Sequence, residues 1–153
     1  YTKDELNIIA EVAKKNDIFI ISDEIYEKLI YEENHESIAS ISKDAYERTI
    51  ILNGLSKAYS MTGWRVGYTA SSEKIASLMN KLQSHTTSNT NTISQYAGVE
   101  ALNGNQESIY LMKKAFNERR DYMINRLSEM KDISYIYPKG AFYIMVNVEN
   151  YLG

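Results

Sequence analysis

A lysine and an arginine lie eight positions apart in residues 53–68, a segment with Gly, Ser and Thr residues that follows a short apolar run. Lys57 offers an amine that can bond covalently to an aldehyde when it is neutral. Arg65 offers a planar guanidinium that matches phosphate oxygens, and the loop can add hydroxyl and backbone N–H contacts. Pyridoxal 5′-phosphate carries both an aldehyde and a phosphate, so the segment predicts a site for this cofactor.

Two motifs together resemble one protein family. Residues 53–68 read NGLSKAYSMTGWRVGY, which resembles the active-site lysine signature of fold-type I aminotransferases of class I and II. The match is to the S-K-x-x-x-x-T-G-W-R subgroup, which includes many bacterial aspartate aminotransferases. Residues 18–26, IFIISDEIY, resemble the family's strand that ends in an aspartate followed three residues later by a tyrosine.

The resemblance implies a role for each matching residue. Asp23 would pair with the protonated pyridine nitrogen of the cofactor, and Tyr26 would donate a hydrogen bond to its ring oxygen. Lys57 would form the Schiff base and move the proton during the reaction. Ser56 and Arg65 would bind the phosphate. These five residues are the predicted cofactor site, and Lys57, Asp23 and Tyr26 are the predicted catalytic residues.

One position departs from the family pattern. Many relatives have a serine three residues before the lysine as a further phosphate donor, and Gly54 stands there in this sequence. Because glycine has no Cβ, its backbone N–H can approach a phosphate closely. We therefore expect cofactor binding to survive the change.

The implied function is transfer of an amino group between an amino acid, aspartate or a similar one, and a 2-oxo acid, within amino acid metabolism. The resemblance also implies a cytoplasmic homodimer.

Two alternative functions would also have a lysine at position 57. One is a C–S lyase of the same fold that acts at the β or γ carbon, against which the T-G-W-R tail argues mildly. The other is the aminotransferase-like sensor domain of a transcription regulator, which a DNA-binding domain upstream would reveal.

The resemblance runs over nearly the whole chain but covers less than half of a usual family member. An Asn-Pro-x-Gly motif normally lies just upstream of the segment that begins here, and the arginine that binds the substrate α-carboxylate normally lies downstream. We therefore expect the chain to be an incomplete piece of a larger enzyme, inactive by itself. Residues 1–105 would be part of the cofactor-binding large domain. Residues 106–153 would be a linking helix and the start of a small domain.

Length and composition exclude several other classes of protein. The 153 residues carry a net charge of −3, which provides no basic surface for nucleic acid. There are no cysteines and two histidines, so no zinc-ligand spacing occurs. No apolar stretch approaches the roughly 20 residues that cross a bilayer. The sequence also lacks a P-loop and a G-x-G-x-x-G motif, and we expect a soluble protein without a resident metal.

Hydrophobic periodicity and capping residues predict the helices and strands that position the site. Thr2 followed by Glu5 is a capping box at the start of a helix predicted over 3–15. Further helices are predicted from Ser72 through Leu82, over 92–103, and for about six turns from Glu107. Strands are predicted at 18–21, 49–52, 66–70, 133–137 and 141–148, and a hairpin-like turn at residues 138–140 joins the last two. Residues 24–30 look weakly helical, and 31–47 read as a polar connection with a turn of helix.

This pattern predicts an α/β fold. The family resemblance implies its parts, which are a portion of a mostly parallel large-domain sheet, a long linking helix and the beginning of a small α+β domain. The strand at 18–21 is a continuous apolar run, typical of a strand buried on both faces. Asp23 and Lys57 each follow an apolar strand. Because ligands bind beyond the carboxyl ends of the strands in open α/β sheets, we expect both side chains at one edge.

Residues 83–95, QSHTTSNTNTISQ, are rich in hydroxyl and amide side chains. Such a stretch is typical of a solvated loop and helix cap. The family resemblance instead implies a dimer-interface loop close to the neighbouring cofactor, and both interpretations stay open. His85 is expected to be a loop residue, and His35, in an acidic loop, is expected to be solvated.

Overall fold

The computed structural model describes residues 1–152. It contains five α-helices and five strands in that range. The helices are α1 (Lys3–Lys15), α2 (Lys43–Arg48), α3 (Glu73–Thr86), α4 (Thr92–Asn103) and α5 (Glu107–Ser128). The strands are β1 (Ile20–Asp23), β2 (Thr49–Gly54), β3 (Gly67–Ala70), β4 (Ser134–Ile136) and β5 (Met145–Asn147). Short 3-10 helices span Ile38–Ser40, Thr62–Trp64 and Glu149–Tyr151.

The first three strands form one sheet in the order β1-β2-β3. β1 and β2 run parallel, with Asp23 opposite Leu52 at their carboxyl ends. β3 returns antiparallel to β2 and pairs Gly54 with Gly67. The fold is therefore α/β, as predicted, with a parallel pair and one antiparallel edge strand.

Helix α1 forms where the sequence predicts it and begins with the predicted capping box. The Thr2 hydroxyl accepts the Glu5 N–H, and the Glu5 carboxylate accepts the Thr2 N–H at 2.7 Å. These contacts satisfy backbone donors that have no partner within the helix. Its buried face carries Leu6 and Ala10, which pack with Ile38 and Ala45 in the main apolar cluster.

Residues 24–30 are not helical, so that weak helix prediction is wrong. The Glu24 N–H continues the strand pairing by donating to the Leu52 carbonyl, and turns follow up to an isolated bridge between Ile30 and Gly140. Pairing with two distant segments thus replaces the local i to i−4 hydrogen bonds of a helix. The connection that follows contains α2 and a 3-10 helix, slightly more structure than predicted.

Helix α5 has 22 residues and confirms the predicted long helix. After it, β4 and β5 pair antiparallel, with Tyr135 opposite Val146, which confirms the predicted hairpin although both strands are shorter than expected. Ser72 takes the predicted N-cap position of α3 without making a side-chain capping bond. The division into domains at 105 and 106 falls between α4 and α5 and stays a prediction.

One face of the first sheet is open. Phe19 and Ile21 are 65% and 69% exposed, so the expectation that this strand is buried on both faces is wrong for residues 1–152. None of the helices in that range combines the length and apolar character of a membrane-spanning helix.

Candidate active site

Asp23 is the last residue of β1, and the strand end itself holds its carboxylate. One carboxylate oxygen accepts the N–H of Ile25 at 3.1 Å, an arrangement that aspartate commonly makes with the backbone two residues on. The side chain is exposed at the carboxyl end of the parallel pair. This is the sheet edge where the sequence places the site.

Lys57 lies in the tight turn that directly follows β2. The Leu55 carbonyl accepts the N–H groups of Tyr59 and Met61, at 3.2 and 3.4 Å, which closes the turn. Leu55 and Ala58 are buried on either side, whereas Lys57 is only half-buried. The packing of these two neighbours therefore fixes the position of the Lys57 backbone.

The structure brings Lys57 and Tyr26 together. The Lys57 Nζ lies 5.8 Å from the centre of the Tyr26 ring and 5.2 Å from that of Phe142. Both distances are within the range in which an ammonium is attracted to an aromatic face. A residue from the first strand-loop unit and one from the second thus meet at one edge, as the order of the strands predicts.

Tyr26 also belongs to an aromatic cluster. Its hydroxyl lies 2.7 Å from the hydroxyl of Tyr143, and its ring meets those of Phe142 and Tyr143 edge to face at 5.4 and 5.7 Å. Burial, followed by the Tyr143 hydrogen bond and the nearby Tyr143 and Asp23 charges, raises the pKa of Tyr26 to about 12. Tyr26 therefore keeps its proton, and remains able to donate it in a hydrogen bond, at neutral pH.

Arg65 and Ser56 are placed less tightly. Ser56 is half-buried in the turn beside Lys57. Arg65 is exposed, has a left-handed backbone conformation with φ 54°, and donates from Nη1 to the Thr62 carbonyl at 2.8 Å. Within residues 1–152 no hydrogen bond or ion pair joins Arg65 to Ser56 or Lys57, so their shared phosphate stays a prediction.

The residues around Arg65 form an open cleft of about 700 Å³. Besides Gly63, Trp64 and Arg65, its lining comes from the polar stretch at 83–95 and the start of α4. The structure thus places that stretch beside Arg65. Only residues 87–91 of the stretch form a loop, because α3 extends through Thr86 and α4 begins at Thr92. His85 lies in the last turn of α3, so its expected place in a loop is wrong. The interface role of the stretch stays a prediction.

The sequence model of the family "Aminotransferase class I and II" matches residues 1–151. The chain belongs to this family. The aspartate aminotransferase of Bacillus sp. strain YM-2 is 48% identical over 149 residues, which are 97% of this chain and 38% of that protein. The asparagine–oxo-acid transaminase of Streptococcus mutans is 44% identical over 150 residues, with the same shares.

Solved structures agree with this family assignment. The aromatic aminotransferase of Pyrococcus horikoshii is 40% identical and superposes with a TM-score of 0.89, over 94% of this chain and 39% of that one. The aspartate aminotransferase of Thermotoga maritima is 42% identical with a TM-score of 0.84, over 92% and 36%. The chain thus spans about two fifths of the length of these aminotransferases.

Sequence reasoning missed two residues that lie beside Lys57 and Tyr26, namely Phe142 and Tyr143. They follow the turn at residues 138–141, where Ala141 has a left-handed φ of 56°. Pro138, Lys139 and Gly140 predict the turn, and the strand after it is predicted only as part of the hairpin. A pair of aromatic residues directly after a Pro-Lys-Gly turn was the available signal.

The structure corrects the expectation for His35. Its Nε2 lies 2.9 Å from the carboxylate of Glu24, which is only 7% exposed and also accepts the hydroxyls of Ser22 and Ser37. Glu24 directly follows Asp23, so these contacts tie the loop around residue 35 to the end of β1. The histidine is therefore a partner of a buried carboxylate and not a solvated loop residue.

Proposed function

We propose that the protein containing this chain is a pyridoxal-phosphate-dependent aminotransferase. It would move an amino group between an amino acid, aspartate or a similar one, and a 2-oxo acid. The observation that carries the proposal is the meeting of Lys57 with Tyr26 at the sheet edge that also holds Asp23. The aspartate aminotransferase names of several relatives support the donor class and favour transamination over lyase chemistry.

The donor set fits this cofactor. The Lys57 amine can bond to the cofactor's aldehyde, the Tyr26 phenol can donate to its ring oxygen, and the Asp23 carboxylate can pair with its ring nitrogen. A side chain at Gly54 would not fit, because a Cβ there would lie 2.8 Å from the Val66 carbonyl oxygen and 3.0 Å from the Gly67 Cα. The phosphate would therefore depend on Ser56, Arg65 and backbone N–H groups.

Pyridoxal phosphate, when bound, accepts the electrons left at the substrate α-carbon after a bond there breaks. Lys57 would hold the cofactor covalently through Nζ and, once released by the substrate, move the α-proton. Asp23 would keep the ring nitrogen protonated, and Tyr26 would hold the ring oxygen. Ser56 and Arg65 would anchor the phosphate so that orientation is kept through the cycle.

We also propose that the active assembly is a cytoplasmic homodimer. The exposed face of α4 supports an interface in this region, because Ile93, Tyr96 and Val99 are all more than half exposed. Large apolar side chains grouped in this way are typical of contact surfaces. The isolated 153-residue chain, which spans about two fifths of the length of the aminotransferases it matches, is proposed to be inactive by itself.

Borohydride reduction followed by peptide mapping tests the central assignment. In the full-length protein loaded with pyridoxal phosphate, the pyridoxyl mass should appear on the peptide with Lys57. Lys57→Ala should abolish the label, whereas Lys74→Ala, at an exposed position of α3, should not change it. A label on a different lysine, or no label, would show that the assignment is wrong.

A further inference from the structure

We infer that Tyr143 is a positioning residue that holds the Tyr26 hydroxyl in place for the cofactor, carried there by a turn that docks beside the first sheet. The inference rests on the proposed function. It concerns a residue from the far end of the chain, which neither of the two motifs contains. Three features of the structure and one chemical argument support it in turn.

The first feature is the contact itself. The two hydroxyl oxygens lie 2.7 Å apart, the ordinary distance of an O–H···O hydrogen bond. The rings meet edge to face at 5.7 Å, and Phe142 packs on Tyr143 at 4.8 Å. The aromatic contacts limit the positions of both rings, and the hydrogen bond orients the Tyr26 hydroxyl.

The second feature is the docking of the turn that carries Tyr143. The Ala141 N–H donates to the Leu29 carbonyl at 2.7 Å, and the Tyr31 N–H donates to the Lys139 carbonyl at 2.9 Å. The Tyr31 hydroxyl also donates to the Ala141 carbonyl. Three hydrogen bonds thus hold the turn at residues 138–141 against residues 29–31. Tyr26 lies just before residues 29–31 in the chain, so this docking brings Tyr143 into contact with it.

Gly140 makes this close docking possible. A Cβ at this position would lie 2.8 Å from the Ile30 Cδ1 and 2.9 Å from the Leu29 carbonyl oxygen. The second distance is to backbone, which cannot move aside as a flexible side chain can. Glycine is therefore required where the two segments touch.

The third feature is Arg120 of α5, which is buried behind the turn. Its Nη1 donates to the Pro138 carbonyl at 3.2 Å and to the Glu32 carboxylate at 3.1 Å. Its guanidinium lies 4.9 Å from the Tyr31 ring centre and 4.8 Å from that of Tyr137. One side chain thus joins the long helix, the turn and the segment after Tyr26.

The fourth support is a chemical argument about the direction of the hydrogen bonds, since either hydroxyl of the pair can be the donor. A phenol has one proton to donate and an oxygen that accepts. When Tyr143 donates to the Tyr26 oxygen, the Tyr26 proton is free to donate to the ring oxygen of the cofactor, and each bond in such a chain strengthens the next. The titratable groups that face Tyr26 are Asp23, Lys57 and Tyr143.

The test uses the absorbance of the bound cofactor in the full-length protein as pH is varied. A hydrogen bond donated to the ring oxygen of the cofactor stabilises a negative charge on that oxygen. It therefore lowers the pKa of the nitrogen that joins the cofactor to Lys57. Tyr143→Phe keeps the ring and removes only the hydroxyl. It should raise the midpoint of the absorbance change by about half to one pH unit, the net effect of one hydrogen bond.

A double-mutant cycle separates a role through Tyr26 from a direct one. Tyr26→Phe should raise the midpoint further than Tyr143→Phe, and the double variant should match Tyr26→Phe alone. Tyr122→Phe, on the exposed face of α5, should leave the midpoint unchanged.

An unchanged midpoint in Tyr143→Phe, together with a shift in Tyr26→Phe, would overturn the inference and leave the proposed function standing. Additive shifts in the double variant would overturn it as well, because Tyr143 would then act without Tyr26. If the full-length protein shows no absorbance of a cofactor bound to Lys57, the proposed function is overturned, and the inference with it.

Discussion

Asp23 and Arg65 would hold opposite ends of the cofactor, and their surroundings differ. Asp23 is fixed by its own strand end, through the Ile25 N–H. Arg65 has one intramolecular hydrogen bond, to the Thr62 carbonyl, and otherwise faces the cleft. Replacing the two residues should therefore damage the enzyme in different ways.

Loss of the Asp23 charge should slow the reaction more than it releases cofactor. A carboxylate beside the ring nitrogen favours its protonated form, so Asp23→Asn should lower the nitrogen pKa and the rate of α-proton removal. Asparagine keeps an acceptor for the Ile25 N–H and so controls for the strand end. Single-turnover absorbance measures the rate, and dialysis measures retention of the cofactor.

Arg65→Ala should mainly release cofactor. Each charge-assisted hydrogen bond lost to the phosphate costs roughly 1.5 to 3 kcal/mol, so affinity should fall by at least about tenfold and excess pyridoxal phosphate should partly restore activity. Added cofactor should not restore Asp23→Asn. The opposite pattern, with rescue of the Asp23 variant and none of the Arg65 variant, would contradict both assignments.

Arg120 should contribute to stability mainly through stacking. Its side chain is 8% exposed, but its partners Glu32 and Asp121 are 39% and 51% exposed. Removing the arginine therefore leaves no buried charge without a partner, and the cost of a broken buried pair does not apply. The replacement would instead remove the contacts of the guanidinium with two aromatic rings and the packing of the arginine's aliphatic carbons.

We expect Arg120→Ala to lower the free energy of unfolding by about 2 kcal/mol, from two cation–π contacts and lost packing. Arg120→Lys keeps the charge but not the planar group, and should retain part of this contribution. Urea unfolding of the full-length protein measures both. Equal stability of the lysine variant and the native protein would contradict the stacking argument.

At the scale of elements, β2 and β3 approach closely where Gly54 pairs with Gly67. The Leu55 N–H donates to the Val66 carbonyl at 3.2 Å, and the turn that carries Lys57 begins there. The absence of a side chain at Gly54 therefore sets the path of the chain into the site.

Gly54→Ala should lower the free energy of unfolding by about 1 to 3 kcal/mol, the usual cost of overpacking, because the new Cβ meets backbone atoms of the neighbouring strand. It should also weaken cofactor retention by moving the Lys57 turn. Gly63→Ala is the control for stability only, because Gly63 lines the Arg65 cleft. A Cβ at Gly63 would meet no atom within 4 Å in residues 1–152 apart from its chain neighbours. Similar unfolding midpoints for the two variants would show that the close approach costs nothing.

At the scale of the whole molecule, apolar surface is left uncovered. Both β1 and β3 are edge strands within residues 1–152, and Phe19 and Ile21 expose their side chains. Unpaired backbone groups beside apolar side chains promote pairing between chains. The surface thus favours association over a dispersed monomer.

The 153-residue chain, expressed alone, should associate in sedimentation velocity experiments. Replacing Phe19 and Ile21 together by lysine should reduce association, because charge on an exposed strand opposes pairing. Tyr46→Lys, at an exposed position of α2 away from the sheet face, serves as control. A monodisperse native monomer would contradict this prediction.

Elements with local signals could be predicted from the residues alone, because such signals act between residues close in the chain. The Thr2/Glu5 capping box and the long periodic pattern of α5 lie where predicted. The apolar runs at 18–21 and 49–52 form β1 and β2, although β1 begins two residues later than predicted. The order of strands and loops predicts that Asp23 and Lys57 lie at one edge of the sheet, and the contact of Lys57 with Tyr26, three residues after Asp23, agrees with this prediction. The cofactor roles of these three residues stay predictions.

Contacts between segments that are distant in sequence could not be predicted and became visible in the folded chain. Residues 24–30 became turns because they pair with β2 and with the 138–141 turn, and no local signal shows that competition. The contact of His35 with the buried Glu24 likewise joins two parts of the chain that no local signal links. The contact of Tyr143 with Tyr26 spans 117 positions, and it exists because Gly140 and Arg120 let two packed segments approach. Such contacts depend on packing in three dimensions, which residue spacing along the chain does not encode.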